Sequence, residues 1–408
     1  MTDSVKQQYE AYPYPARDPA DEKRRLITGS PSFLPELNHY VFAGRRDFTR
    51  PFRALVAGGG TGDGLIHLAQ YLQAAGQTAG GAHEVVYLDL SAAARAIAEA
   101  RARMRGLSNI RFITGSLLDL AALAPGPYDY IDCCGVLHHL PDPAAGLAAL
   151  VAQLSPDGGL GLMVYGRYGR AGIYPLQAAL RQLTGDLPPP GKIALARTLL
   201  SELPEGNEFR RNPFVGDHKT GDAGLYDLLL HSQDRAYTVP ELAALIEGAG
   251  LSVTAWIEPC RYDPLSYLKD NELRRRAAAL PPLEQAALAE RLSGAMKTHV
   301  AYAVPRARAA EAVAQPAADL IPWLNGVPPK ALAETLAKRG ELTVTFHTER
   351  FVFAAPPRAA EIAALLDGRR SLGEIAQALG LSWEDFSALY APLHALLTGI
   401  NKLYLRGF

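Results

Sequence analysis

The chain has 408 residues, 48% of them hydrophobic, enough to bury more than one core, so two domains are the natural expectation. Its 41 basic and 42 acidic side chains leave a net charge of −1, which excludes an overall field that would recruit nucleic acid or an anionic membrane. No uninterrupted apolar run of about 18 residues occurs, and the polar opening MTDSVKQQYE lacks a signal-peptide pattern, which reads as a cytoplasmic protein without a membrane span.

Residues 1–49 form an aromatic, proline-rich arm in which QYEAYPYPARDP interleaves Tyr9, Tyr12 and Tyr14 with Pro13 and Pro15. Proline restricts the arm to extended or turn conformations, so its rings have to pack on something else. They serve either as a clamp on the core or as a lid over a ligand, with Tyr12 and Tyr14 the candidates for touching a substrate. The next stretch, RALVAGGGTGDG at 53–64, runs an apolar strand (Ala54 to Ala57) into glycines and then a helix, a turn where a ligand can lie against bare backbone. Asp89 closes the following strand, VVYLD, where an ionised carboxylate suits two ribose hydroxyls. Together these describe a nucleoside-binding α/β unit. The dinucleotide spacing G-x-G-x-x-G would put Asp63 at its last glycine, whereas G-x-G-x-G fits Gly58, Gly60 and Gly62, which disfavours a nicotinamide oxidoreductase. Cys133 and Cys134 point to opposite faces of a later strand and, with Cys260, form no disulfide framework; they read as small core residues.

The glycine pattern resembles motif I of the class I S-adenosylmethionine-dependent methyltransferases, and the resemblance runs in family order from about residue 50 to 165. NIRFITGSLLDL (109–120) looks like the third strand and the loop beside the adenine. YDYIDCCGVLHHLPDP (128–143) looks like strand four and its motif, and SPDGGLGLMVYG (155–166) like a turn at Pro156 to Gly159 and strand five. The resemblance implies a seven-stranded Rossmann-like α/β sheet with S-adenosylmethionine as cofactor. It implies that Gly58, Gly60, Gly62 and Asp63 lie at the methionine moiety, that Asp89 and Leu90 hold the ribose side, and that Ser116 and Leu117 flank the adenine. Cys134 and Gly135 would sit near the sulfonium and the amino group. Two positions depart from the family pattern: Ala57 stands where many members carry an acid just before the first glycine, and Ser116 where many carry an acid in the adenine loop.

Beyond strand five, residues 166–237 read as an insertion at the carboxyl edge of the sheet, a natural substrate cover. Thr238 and Glu241 make a capping box with Pro240 in the first turn, starting a helix that runs to Gly248 or Gly250, and LSVTAWIEP follows as strand six. A second, helical insertion covers 263–296, and THVAYAVP (298–305) alternates like an antiparallel strand seven. A helical connector is expected over 306–340. Residues 341–408 then give strand (342–353), helix, a helix capped by Ser371, a helix capped by Ser382 and a final strand, a winged-helix pattern similar to small peptide-binding winged helices. Its last helix opens Trp383, Glu384, Asp385, so it suits dimerisation, peptide docking or a structural cap rather than DNA.

Methyl transfer from a sulfonium asks the protein to hold a neutral nucleophile about 3–3.5 Å from the methyl carbon and to exclude water. An amine must first lose a proton to a rim Tyr, His or Asp. His138 and His139 follow strand four, with His138 favoured; Tyr165, Arg167 and Tyr168 follow strand five. The polar stretch Asp217, His218, Asp222, His231, Asp234, Arg235 matches no common metal-ligand spacing, so no metal is expected. The expected catalytic group is therefore His138, Tyr165, Tyr168 and His231, and the expected substrate contacts are Tyr12, Tyr14, Arg167, Asp222 and Tyr237. The appended C-terminal pattern loosely resembles bacterial protein-lysine methyltransferases, which implies a peptide or protein amine as acceptor. The alternatives are a metabolite or natural-product acceptor on nitrogen, oxygen or carbon, and a nucleoside-binding module without chemistry.

Overall fold

The computed structural model describes residues 3–79 and 82–407. Its centre is a seven-stranded sheet of β1 (Phe52–Ala57), β2 (His83–Asp89), β3 (Ile110–Thr114), β4 (Tyr128–Cys134), β5 (Leu154–Tyr165), β6 (Leu251–Trp256) and β7 (Thr298–Pro305), in the order β3-β2-β1-β4-β5-β7-β6. β1 to β5 are parallel, and β7 runs antiparallel to both β5 and β6. The strands are near-continuous apolar runs because both faces are covered. Leu55, Ile131 and Leu162 pack into the core on one face, while Ala54, Val56, Val85 and Tyr130 pack into a second core on the other. The strand order reverses between β1 and β4, so their carboxyl ends splay around a crevice.

The capping box at Thr238 and Glu241 forms as expected and starts helix Val239–Gly248. The helical insertion holds helices Asn271–Ala278 and Pro282–Ser293. Three expectations are corrected. Pro156 to Gly159 do not make a free turn before β5: the strand begins at Leu154, and the extra residues bulge out where Tyr128 pairs Leu154 and Tyr130 pairs Gly159. The stretch 306–340 is not wholly helical, because it contains β8 (Ile321–Leu324), which pairs with β11 (Leu403–Arg406). LTVTFHTERFVF is not one strand but a hairpin of β9 (Glu341–Phe346) and β10 (Glu349–Ala354), with His347 in the turn at φ +53°.

The C-terminal elements share one core that includes Leu320, Leu324, Leu336, Ile362, Phe386 and Leu405. They are fastened to the sheet through Glu36 of helix Leu34–Val41, which accepts from the hydroxyls of Tyr302 and Tyr404 and from Asn401. No helix among the described residues is long and apolar enough to cross a membrane.

Candidate active site

A cavity of about 390 Å³ opens at the carboxyl ends of β1, β2, β4 and β5. Its floor is the glycine turn after β1. Gly58 (φ +69°) and Gly60 (φ +51°) take left-handed backbone, and a Cβ on Gly58 would lie 2.2 Å from Val136. Asp89 closes β2 and is fixed by the backbone N–H groups of Gly60 (2.8 Å) and Ser91 (2.9 Å), leaving further lone pairs facing the cavity. Burial raises its pKa, and those two N–H bonds oppose the rise.

The N-terminal arm forms the roof. Tyr9, Tyr14, Pro15 and Arg17 line the cavity. Glu10 accepts from the N–H groups of Ala92 and Ala93 at a helix N-terminus, Thr61 donates to the Pro15 carbonyl, and Arg17 pairs with Asp63. Arg101, almost wholly buried, holds Asp63 from the other side. Burial alone would lift the Asp63 pKa, but the two guanidiniums hold it below the usual carboxylate value.

The end towards β5 is crowded with titratable groups. Asp227 sits in a π-helical turn, Tyr226–Leu230, that ends the short helix Asp222–Leu225. It accepts from Tyr9 (3.1 Å) and Tyr165 (3.0 Å), and burial raises its pKa. The loop that follows runs beside the end of β5, with Tyr237 N–H donating to the Tyr165 carbonyl. It brings His231 and Gln233 against His139. His139 Nδ1 lies 2.9 Å from the Gln233 carbonyl, which can only accept, so that nitrogen carries the proton and Nε2 keeps a lone pair. His231 Nδ1 accepts from the Gln233 N–H (3.0 Å), so its proton sits on Nε2 and points to the Tyr9 oxygen (3.3 Å). Tyr165 stacks on His138 at 3.9 Å and carries the Arg170 guanidinium 3.6 Å from its ring centre, and Arg170 is paired with the buried Asp234.

Among the residues expected from sequence, Gly58, Gly60, Asp63, Asp89, Leu90, Cys134, Gly135, Tyr14 and Tyr165 line this cavity. His231 stands behind the lining, stacked on His139 at 3.9 Å. Gly62 packs against Ala98 instead of facing the cavity, and Ser116, Leu117 and Tyr168 do not line it. His138 is buried, and the histidine that faces the cavity is its neighbour His139. Tyr12 stacks on Tyr226 at the edge of the insertion's own core, Arg167 pairs with Glu241, and the exposed Asp222 pairs with Arg197. Tyr237 borders a separate open cleft with Arg235 and Glu241. Sequence reasoning missed Tyr9, Arg17, Asp132 and Asp227 as lining residues and named His139 only second to His138. Asp132 and Asp227 each carry a legible signal, since an acid inside an apolar strand or run (YIDCC, YDLLL) is rarely buried without a role.

His139, Asp227 and His231 offer three ligand-type atoms within 4.8 Å of one another. A cation there would have to displace the Tyr9 hydroxyl and turn His231 away from Gln233 N–H, because the Nε2 it would need is the protonated one.

A family model described as a methyltransferase domain matches residues 55–160, the stretch that builds the glycine turn, β2, β3 and β4. Residues 55–160 therefore carry a methyltransferase domain. An uncharacterised protein of Synechococcus sp. is 34% identical to this chain over 274 residues, 65% of this chain and 62% of that protein, so the match spans less than two thirds of that relative. PKMT2 from Rickettsia typhi has the same fold at 14% identity, with TM-score 0.60 over 93% of this chain and 76% of that one. The same protein in complex with AdoHcy matches at 15% identity and TM-score 0.61, covering 94% and 77%. The cavity fits S-adenosylmethionine on its own chemistry. Bare glycine backbone forms the floor, a carboxylate closes β2, and an acidic, partly apolar wall with Met163 and Val136 would surround a sulfonium.

Proposed function

We propose that this protein transfers the methyl group of S-adenosylmethionine to an amine nitrogen of a peptide or protein. The observation that carries the reading is the β5 end of the cavity, where His139 lines the wall together with Asp227, a carboxylate held by two tyrosine hydroxyls, the two offering ligand-type atoms within 4.8 Å of each other. Bound there, the cofactor would supply an electrophilic methyl carbon. An incoming ammonium would be attracted by Asp227, lose its proton to His139 Nε2 and attack as the neutral amine. The roof of Tyr9 and Tyr14 would exclude water and offer ring faces to a cationic product. At about 390 Å³ the cavity is near the small end of ligand sites, which supports an acceptor presented as a slender side chain once the cofactor is in place.

The arm's closure over the cavity supports a second reading, a small metabolite enclosed with the cofactor. Radiolabelled methyl transfer into protein and metabolite fractions of a cell extract separates the two. Acid-stable label recovered as a methylated amino acid after protein hydrolysis is the expected result; label confined to the small-molecule fraction would overturn the protein-amine reading.

A further inference from the structure

Among the described residues four carboxylates border the cavity: Asp63, Asp89, Asp132 and Asp227. Three of them are satisfied inside the protein, by the guanidiniums of Arg17 and Arg101, by the N–H groups of Gly60 and Ser91, and by the hydroxyls of Tyr9 and Tyr165. Asp132 differs. Its Oδ2 accepts from Ser32 Oγ, while Oδ1 has no hydrogen-bond partner among the described residues, although the side chain is only 1% exposed. A buried carboxylate oxygen without a donor is strongly unfavourable unless something else supplies one.

The sheet register shows where the donor belongs. β1 and β4 are parallel neighbours, and Asp132 pairs with Val56, so the two side chains stand on the same face and both reach the cavity. Val56 and Ala57 leave the strand end before Gly58 apolar, and β4 brings a carboxylate to the same height. Gly64, at the start of the helix above, allows the close approach: a Cβ there would lie 2.6 Å from Ser32 Oγ and 3.2 Å from Asp132 Oδ2. Cys134, two residues further along the same face, also borders the cavity.

We propose that Asp132 is a ligand-binding residue that accepts, through Oδ1, a hydrogen bond from the α-ammonium of the cofactor's amino-acid tail. An ammonium delivers both things this site lacks, a donor for Oδ1 and a positive charge against a buried acid. In the free protein burial pushes the Asp132 carboxyl up to about 6, and a bound ammonium would draw it down again. The inference rests on S-adenosylmethionine being the cofactor.

Calorimetric titration of the full-length protein and of Asp132→Asn, with S-adenosylhomocysteine and with 5′-methylthioadenosine, tests it. Both ligands carry the nucleoside and a thioether, and only the first carries the ammonium. Asp132→Asn weakens S-adenosylhomocysteine at least tenfold and 5′-methylthioadenosine less than twofold. Equal losses for both ligands, or no loss for either, would overturn the assignment. Failure of the unmodified protein to bind S-adenosylhomocysteine would overturn the cofactor reading instead. If Asp132→Asn does not fold, the ratio of the two affinities in the unmodified protein reads the same carboxylate: it falls as pH drops from 7.5 to 5. Of the groups facing Asp132, Tyr130, Cys133 and Cys134 are pushed up by burial and stay neutral over that range, the Ser32 hydroxyl does not titrate, and Asp63, held low by its arginines, stays ionised. A ratio independent of pH would count against the proposal.

Discussion

His139 and His231 lie ring on ring, centroids 3.9 Å apart, and the backbone of one residue, Gln233, fixes the tautomers of both. Its carbonyl takes the Nδ1 proton of His139 and its N–H takes the Nδ1 lone pair of His231. The two rings are therefore set oppositely: His139 can accept a proton at Nε2, and His231 already holds one there. Burial pushes the His231 pKa well down, so this histidine stays neutral and its Nε2–H donates a hydrogen bond to the Tyr9 oxygen, whose hydroxyl in turn donates to Asp227.

His139→Gln should therefore lower kcat by about 10²–10⁴-fold, the range for removing a positioned base. It should leave S-adenosylhomocysteine affinity within about twofold. His138→Gln should act mainly through stability, because His138 is buried behind Tyr165 with neither ring nitrogen partnered among the described residues. Single-turnover methylation beside thermal melts checks both variants. An unimpaired His139→Gln would remove the base from the mechanism.

The Asp227 carboxylate is kept in place by two phenols, and either one can be removed without a large change of shape. Tyr165→Phe should cost about 1.5–3 kcal/mol of stability, the range for a hydrogen bond to a charged group. The lost hydroxyl also leaves Oδ2 of a buried acid without that donor. Asp227→Asn should reduce kcat/KM for a cationic acceptor far more than for an uncharged analogue of the same shape. Equal losses on both acceptors would show that Asp227 only shapes the cavity.

The sheet was legible because hydrophobic runs ending in a glycine turn, in Asp89 and in GVLHH mark strand ends locally, and their order along the chain resembles the class I methyltransferases, which implies the rest of the sheet. Pairings set by distant sequence were not. β8 is four residues long and defined by a partner eighty residues later, so Ile321–Leu324 read as connector. The site divided in the same way. Gly58, Gly60, Asp89, Leu90, Cys134, Gly135 and Tyr165, at or just past strand ends, line the cavity, whereas Ser116, Leu117 and Tyr168 do not, and Tyr9, Arg17 and Asp227 reach it only because an arm and an insertion fold over it. His139 and not the favoured His138 lines the cavity, because the short turn Leu137–His139 sets which ring faces it, and sequence spacing does not define that rotation.

The arm is tied down by contacts that can be cut singly. Arg17→Ala combined with Glu10→Ala removes the Asp63 pairing and the cap on Ala92 and Ala93. Asp63 keeps Arg101, so the glycine turn itself should hold. The expected result is faster dissociation of S-adenosylhomocysteine, by about five- to tenfold, which corresponds to about 1–1.4 kcal/mol, in stopped-flow displacement. An unchanged dissociation rate would mean that the arm is a clamp on the core and not a cover on the ligand.

Asp132 also makes a prediction about stability, and its sign follows from the direction of its shift. A carboxyl raised to about 6 in the folded protein still holds its proton at pH values where the unfolded chain, near 3.9, has released it. The folded state then binds more protons, so this group's contribution to stability falls as pH rises through that window, by up to about 3 kcal/mol for a shift of this size. The buried histidines His39, His67, His138 and His231 are shifted down and act in the opposite direction, destabilising the fold as pH drops below about 6.5. Their contribution is common to the unmodified protein and to Asp132→Asn, so it cancels in the difference between the two. Denaturant titrations at pH 4.5 and 7.5 should show Asp132→Asn gaining relative stability at the higher pH. Saturating S-adenosylhomocysteine should shrink that gain, because the ammonium stabilises the ionised acid. A difference independent of pH would mean that Asp132 is ionised in the free protein throughout, and that Ser32 alone is enough to hold its charge.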